Sequence, residues 1–155
     1  MLYRELIKGL AEMAGLAGGV EIDDEERCLL EFDGFGVVIQ GIDAASAIAL
    51  VSPVGEPPPE DPARLYRALL EANHLFKDTG GATLSVEPEG GCIYLCRQLD
   101  SRSLDVKDLA AALDGFLNTL SAWRMYLDDY HEHPTEEKSA EAAPLPTLDD
   151  HFIRI

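Results

Sequence analysis

His131 and His133 are separated by one residue, a spacing at which both side chains could bind one divalent metal ion. A zinc site needs at least three protein ligands, and the sequence places no third ligand at a matching spacing. His74 could act as a general base only beside a serine or cysteine nucleophile, and no motif pairs it with one. We therefore predict no metal site and interpret His74 as a helix-surface or interface histidine.

Other residue types suited to chemistry occur in patterns that favour structural roles. The glycine clusters Gly15-Leu16-Ala17-Gly18-Gly19 and Gly80-Gly81 lack the lysine and hydroxyl residue of a phosphate-binding loop, so they are interpreted as turns and helix stops. The acidic groups Asp23-Asp24-Glu25-Glu26 and Asp128-Asp129 are typical of solvated loops and helix ends. We predict no catalytic residues and no cofactor, and we do not expect an enzyme.

The chain has three cysteines, Cys28, Cys92 and Cys96, an odd number without the grouping of a metal site. Cys92 and Cys96 lie four residues apart in a predicted strand, so they share a face without being adjacent. Each is predicted to be a buried, reduced thiol.

Charge and hydropathy narrow the choice of partners. The chain has 155 residues with 29 acidic and 12 basic side chains, a net charge of -17. That charge repels phosphate backbones and anionic lipids over a Debye length of about 8–10 Å. There is no window of about 18 apolar residues and no apolar signal-peptide region near Met1. We expect a cytoplasmic protein that binds neither nucleic acid nor membrane.

Any binding residues must be positioned by the helices and strands of the chain, which begin with one helix and three strands. Apolar residues at three- and four-residue steps predict a helix over residues 2–16. Three strand-like runs follow at Cys28–Asp33, Gly36–Gly41 and Ala47–Pro53, the first two joined by a hairpin at Asp33-Gly34. The proline-rich segment 53–60 is predicted to be a stiff connector, because proline removes backbone donors and restricts φ.

A second helix is predicted from a cap at Asp61 and Pro62 to about Lys77. Its apolar surface is wider than one sheet contact needs and consists of two stripes: Leu65, Leu69, Ala72 and Phe76, then Tyr66, Leu70 and Leu75. This width suggests two contacts, one with the sheet of the same subunit and one with the same helix of a second copy. The alternative is a helix buried deeply within one monomer.

The C-terminal half adds a second hairpin and a long helix. Residues Ala82–Val86 and Cys92–Leu99 alternate as strands around a glycine-rich turn, and apolar residues from Leu104 to Leu127 predict a helix of about 25 residues that covers a sheet face. We assign residues 1–130 to one domain and 131–155 to an acidic linker and tail. Apolar residues of that tail could occupy a groove: Leu145, Leu148, Phe152, Ile153 and Ile155. Disorder is the alternative.

The order helix, three strands, helix, two strands, helix defines an α+β fold with an antiparallel sheet. Its most recognisable part is Leu69-Leu70-Glu71-Ala72-Asn73, leading through Gly80-Gly81 to Ala82-Thr83-Leu84-Ser85-Val86-Glu87-Pro88-Glu89-Gly90, with Leu113, Phe116-Leu117 and Trp123-Arg124 farther on. Over about residues 1–130 the chain resembles the small acidic type III secretion chaperones of the CesT (Tir chaperone) family, class I. The tail and the polyproline connector depart from that pattern.

The resemblance implies a homodimer, joined through the second helix, that holds the N-terminal chaperone-binding segment of a secreted effector and keeps it soluble and secretion-competent. Apolar burial and strand addition would supply the binding. As effector contacts we predict Leu6, Leu10, Leu30, Phe32 and Val38, and as dimer contacts Leu65, Tyr66 and Leu70. Two alternatives remain: an interaction or regulatory module of the same fold that is not dedicated to secretion, and a small enzyme with an unrecognised site.

Overall fold

The computed structural model describes residues 3–16 and 18–133. Its first helix, α1, comprises Tyr3–Met13 and buries one face, as the spacing of its apolar residues predicts. The hydroxyl of Tyr3 donates a 2.7 Å hydrogen bond to the carbonyl oxygen of Ile39. This bond ties the helix to the sheet, and burial raises the pKa of Tyr3 above its ordinary value.

Three antiparallel strands follow: β1 (Arg27–Phe32), β2 (Phe35–Ile42) and β3 (Ala47–Gly55). They confirm the predicted runs, with ends displaced by one or two residues. Asp33 and Gly34 join β1 to β2 with φ of 47° and 84°. Two consecutive positive values are what a two-residue hairpin turn needs, so the Asp-Gly signal predicted the turn correctly.

The remaining strands are β4 (Thr83–Val86) and β5 (Ile93–Asp100), which confirm the second hairpin. The sheet order is β1-β2-β3-β5-β4, with every neighbouring pair antiparallel. Because β5 lies between β3 and β4, the two edges of the sheet are β1 and β4. The predicted connector 53–60 is wrong at its start, because Pro53 and Gly55 pair with β5 as part of the inner strand β3. The predicted α+β fold with an antiparallel sheet is confirmed.

The second helix, α2, comprises Ala63–Asn73 and is shorter than predicted at its C-terminal end. The chain leaves the helix after Asn73 and turns through residues 74–76, where Leu75 and Phe76 have left-handed φ values of 54° and 55°. The prediction that the helix continues to Lys77 is therefore wrong. A left-handed backbone at two consecutive residues cannot continue a right-handed helix.

The predicted start of α2 also needs a correction. Pro62 occupies the capping position, and no side chain caps the helix. Asp61 lies one residue farther out with φ of 44°, so the predicted carboxylate cap is not formed. Pro62 itself has helical dihedral angles, as expected for a proline that enters a helix at its first turn.

Asn73 links the end of α2 to the edge strand β4. Its side-chain amide donates to the carbonyl oxygen of Leu84 at 3.0 Å, and its side-chain oxygen accepts from the Leu84 N–H at 2.9 Å. The amide thus satisfies both backbone groups of Leu84, in the way a neighbouring strand would.

Replacing Asn73 by alanine is expected to lower the free energy of unfolding by about 1–3 kcal/mol, because two partly buried backbone groups lose their partners. Urea unfolding measures this loss. Asn118→Ala is the matched control, since it truncates the same side chain at an exposed position of α3 and should leave the stability nearly unchanged. Equal stability of all three proteins would contradict the linking role of Asn73.

The third helix, α3, comprises Val106–Glu132. It begins with a reciprocal cap in which Asp105 accepts from the Asp108 N–H at 2.8 Å and the Asp108 carboxylate accepts from the Asp105 N–H at 3.3 Å. A buried stripe follows the predicted apolar spacing: Leu109, Leu113, Phe116, Leu120, Trp123 and Leu127. The helix extends slightly past the residue at which the predicted linker begins, and residues 134–155 of the predicted tail lie outside the described residues.

The core lies between the sheet and the helices. Side chains at alternate positions of β1, β2, β3 and β5 point toward it, together with the buried faces of the three helices. The core residues least exposed to solvent include Leu6, Ile7, Val37, Ile39, Ile48, Leu50, Leu65, Ile93, Leu95, Leu109, Phe116 and Leu120.

Gly9 of α1 packs directly against Val106 at the start of α3. A methyl group at this position would lie 2.6 Å from Cγ2 of Val106. We expect Gly9→Ala to destabilise the protein by about 1–2 kcal/mol, because overpacking against a stiff valine exceeds the helix-propensity gain of about 1 kcal/mol. Thermal unfolding of Gly9→Ala, Val106→Ala and the double variant tests this expectation. Full additivity of the two losses would contradict it.

The cysteines are free thiols in the described structure. Cys28 is buried, as predicted, and burial raises the pKa of its thiol. Cys92 and Cys96 are only half-buried, so the prediction of complete burial is wrong for both. The reason is that Cys96 lies on the face of β5 opposite to the core residues Ile93 and Leu95, and Cys92 precedes the strand.

Candidate protein-binding surface

One face of the sheet carries an apolar row across four adjacent strands. Strand register places Leu29 opposite Val38, Val38 opposite Val51 and Val51 opposite Cys96. Leu29 is 63% exposed, and the other three are half-buried. We call these four residues the open row.

The open row is unusual for a sheet face turned away from the core. Antiparallel sheets commonly keep one face in water, and that face is normally polar. In the described part of the chain, the helices bury the opposite face, where Cys28, Leu30, Val37 and Ile39 lie. The open row therefore exposes apolar surface, and its burial against a partner would be favourable.

A cleft of about 720 Å³ lies over the β1 end of the open row. It is lined by Leu29 and Val38 together with Arg27 and the segment Glu21, Ile22 and Asp23. Arg27 is held there by Asp23 at 2.8 Å and Glu25 at 3.0 Å. The cleft thus has an apolar floor and a charged rim, which suits a polypeptide with alternating apolar and polar side chains.

The two edges of the sheet differ in their availability. At β4, Asn73 occupies the backbone groups of Leu84, and α2 packs beside the strand. At β1, no strand of the described chain pairs with the outer edge. An extended segment can add to such an edge through backbone hydrogen bonds. The free edge lies next to Leu29, so one segment can contact both the edge and the open row.

A second groove, also about 720 Å³ in volume, separates α1 from the segment that follows it. Ala11, Leu16, Val20 and Ile22 provide apolar lining. Arg4, Lys8 and Glu12 also line it, so it carries two positive side chains in a protein with a net charge of -17. Ile22 lines this groove and the cleft over Leu29, which makes the two cavities neighbours.

The outward face of α2 is a separate apolar surface. Leu70 is 70% exposed, and Leu75 and Phe76 in the following turn are 76% and 56% exposed. Tyr66, one helical turn before Leu70, is half-buried. We call these four residues the α2 face.

The structure distributes the predicted contact residues among different environments. Leu6, Leu10 and Leu30 are core residues with at most 6% exposure, and Phe32 is half-buried against the core. Only Val38 lies in the open row. The assignment of these five residues as effector contacts stays a prediction.

The predicted dimer residues also lie in different environments. Leu65 is fully buried in the core, whereas Tyr66 and Leu70 belong to the α2 face. The wide apolar surface of the helix therefore has one side in the monomer core and one side exposed. Whether the exposed side joins two copies stays a prediction at this point.

Sequence reasoning missed Leu29 and Val51. Both alternate with core residues along their strands, and in β3 both faces are largely apolar, so the pattern of that strand does not separate core from surface. The available signal was the charged pair Arg27 and Glu31, which flanks Leu29 at two-residue spacing and marks its side of β1 as the outward one.

The residues considered for chemistry are dispersed over the described structure: Asp23 lines the cleft, Cys96 lies in the open row and His74 directly precedes Leu75 of the α2 face. His131 lies at the end of α3, and its Nε2 atom is 2.9 Å from the carbonyl oxygen of Glu56. Within residues 3–16 and 18–133, no three histidine, cysteine or acidic side chains are grouped as metal ligands. In the same part of the chain, no helix combines the length and apolar character needed to cross a membrane.

An antiparallel sheet with one helix-covered face, one apolar row on the other face and one unpaired edge is an arrangement to which an extended polypeptide can add. The family model of the Tir chaperone protein (CesT) family matches residues 5–124. The chain belongs to this family of chaperones.

Individual proteins are similar to this chain in sequence or in fold. A protein of Chlamydia pneumoniae is 26% identical over 123 residues, which cover 79% of this chain and 93% of that protein. Two solved complexes share the fold. The HopA1–SchA chaperone–effector complex has a TM-score of 0.66 at 20% identity and covers 79% of this chain and 93% of its own. The Yersinia pestis type III secretion chaperone SycH, solved with a fragment of YscM2, has a TM-score of 0.63 at 17% identity and covers 79% and 99%.

Proposed function

We propose that this protein is a cytoplasmic chaperone that binds the N-terminal chaperone-binding segment of a type III secreted effector and keeps it soluble and secretion-competent. One observation carries the proposal: the open row of apolar residues ends at the free edge strand β1. Membership of the CesT family and the likeness to a chaperone–effector complex support it.

The geometry accounts for binding without a fixed effector sequence. Backbone hydrogen bonds to β1 depend little on side-chain identity, while Leu29 and Val38 accept alternate apolar side chains of an added strand. Burial of about 1,000 Å² of apolar surface would contribute on the order of 25 kcal/mol, most of which offsets the ordering of the segment. An effector segment can therefore be held in an extended form and released again.

We further propose that two copies pair through the α2 face. The α2 face is an apolar surface on an otherwise acidic protein. A two-fold axis through it would bury this face on both subunits at once. Leu65 belongs to the core beneath this surface and would support it indirectly. A dimer would present two copies of β1 and the open row to one effector segment.

The first experiment is co-expression with N-terminal fragments of candidate secreted proteins encoded nearby, followed by affinity capture and native mass determination. We expect a complex of two copies of this chain with one fragment. A dimer that captures none of the fragments would favour the general interaction module instead. A monomer would overturn the proposed pairing through α2.

A further inference from the structure

We propose that the C-terminal segment of this chain, residues 145–155, occupies the open row of its own sheet and competes there with the partner. The proposal rests on the proposed function, because it assigns an internal competitor to the same surface. Three observations carry it: where α3 ends, how far the remaining chain reaches, and which residues the segment contains.

The end of α3 is held at the end of β3, on the helix-covered face of the sheet. The Arg124 guanidinium donates to the carbonyl oxygen of Pro53 at 2.8 Å and lies 4.6 Å from the centre of the Phe35 ring. Leu127 is buried close to Gly55, and His131 Nε2 lies 2.9 Å from the carbonyl oxygen of Glu56. The chain therefore leaves the fold at the end of β3.

Pro53 shares its strand face with Val51 of the open row, two residues away or about 7 Å along the strand. From Val51 to Leu29 the row crosses two strand spacings, about 10 Å. Residues 133–144 could extend about 40 Å and would span about 19 Å as a flexible coil. The linker must also pass around the end of β3 from the helix-covered face, a further distance of about 10 Å, and its extended length is enough to place residues 145–155 on the open row.

The composition of residues 145–155 fits an apolar strip. Five of its residues are apolar, at positions 145, 148, 152, 153 and 155, after a linker that contains Glu136, Glu137 and Glu141. A short tether also gives the segment an effective concentration of the order of millimolar, higher than a free partner normally reaches.

Cys96 provides a native probe, because it is a half-buried thiol within the open row. The full chain is treated with N-ethylmaleimide, and the labelling rate of each cysteine is followed by peptide mass mapping. We compare the natural protein with Phe152→Asp/Ile153→Asp. A segment bound nine-tenths of the time slows labelling about tenfold, so the variant should label Cys96 about tenfold faster.

Two controls accompany this comparison. Ala142→Asp/Ala143→Asp adds the same charge to the linker and should leave the rate unchanged. Cys28 reports unfolding, because it lies in the core and should stay slow in every protein. Equal Cys96 rates in the natural protein and the Phe152→Asp/Ile153→Asp variant would overturn the proposal. So would protection that increases with protein concentration, because a second copy would then cover the row.

The same assay separates this proposal from the proposed function. A captured effector fragment added to the Phe152→Asp/Ile153→Asp variant should protect Cys96 again, whether or not the tail binds. Protection by the fragment without any effect of the tail variant would overturn the tail proposal and leave the chaperone function intact. A tail effect without protection by the fragment would uphold the tail contact and count against effector binding at the open row.

Discussion

A single carboxylate in place of Leu29 is expected to abolish capture of the effector segment while the protein stays folded. Leu29 is 63% exposed, so Leu29→Asp removes no core contact. In the complex the change loses about 1.5–3 kcal/mol of apolar burial and places a carboxylate against an apolar surface. Together these costs exceed about 3 kcal/mol, a weakening of more than about a hundredfold.

Affinity capture of the co-expressed fragment measures the loss, and thermal unfolding shows that the fold is kept. Asn118→Asp is the matched control, because it adds one negative charge at an exposed position of α3 far from the open row in sequence. We expect Asn118→Asp to capture normally. Normal capture by Leu29→Asp would exclude the open row as the binding surface and direct attention to the groove beside α1.

Replacing Leu70 by aspartate is expected to convert the dimer into a monomer. In a two-fold interface each substitution occurs twice, so a cost of about 3 kcal/mol per site becomes about 6 kcal/mol. The dimer dissociation constant should therefore rise by about four orders of magnitude. Leu70 is 70% exposed, so the monomer itself should remain folded. Sedimentation equilibrium measures the change.

Met125 offers a matched control for this prediction. It is also 70% exposed and apolar, but it lies on α3 rather than on the α2 face. Met125→Asp should leave the dimer intact. Dissociation by Met125→Asp but not by Leu70→Asp would place the contact between subunits on α3 and refute the role of the α2 face.

Local sequence patterns predicted most of the elements. Asp33-Gly34 determined the first hairpin, because few residue pairs adopt two positive φ values at low cost. The apolar stripe of α3 predicted that helix within a few residues, and Asp105 with Asp108 explains its start. These signals act between residues close in sequence, so the chain needs no distant contact to express them.

Long-range contacts decided where α2 ends. The residues from His74 to Lys77 continue a helical pattern, yet the helix stops at Asn73, whose amide binds Leu84 eleven positions later. At the start of α2, the sequence predicted Asp61 as the cap, but its backbone has a left-handed φ of 44° and its side chain does not cap the helix. Helix propensity and capping signals are worth about 1 kcal/mol, and tertiary hydrogen bonds of that size override them.

The sequence by itself determined the class of fold, the acidic character and the likeness to the secretion chaperones. Only the tertiary structure decided which apolar residues of the strands lie outside the core. Leu29 and Leu30 are neighbours of the same type, and one is 63% exposed while the other is 6% exposed. Successive strand residues point to opposite faces, and the packing of α1 and α3 on one face alone makes one of them core and the other surface.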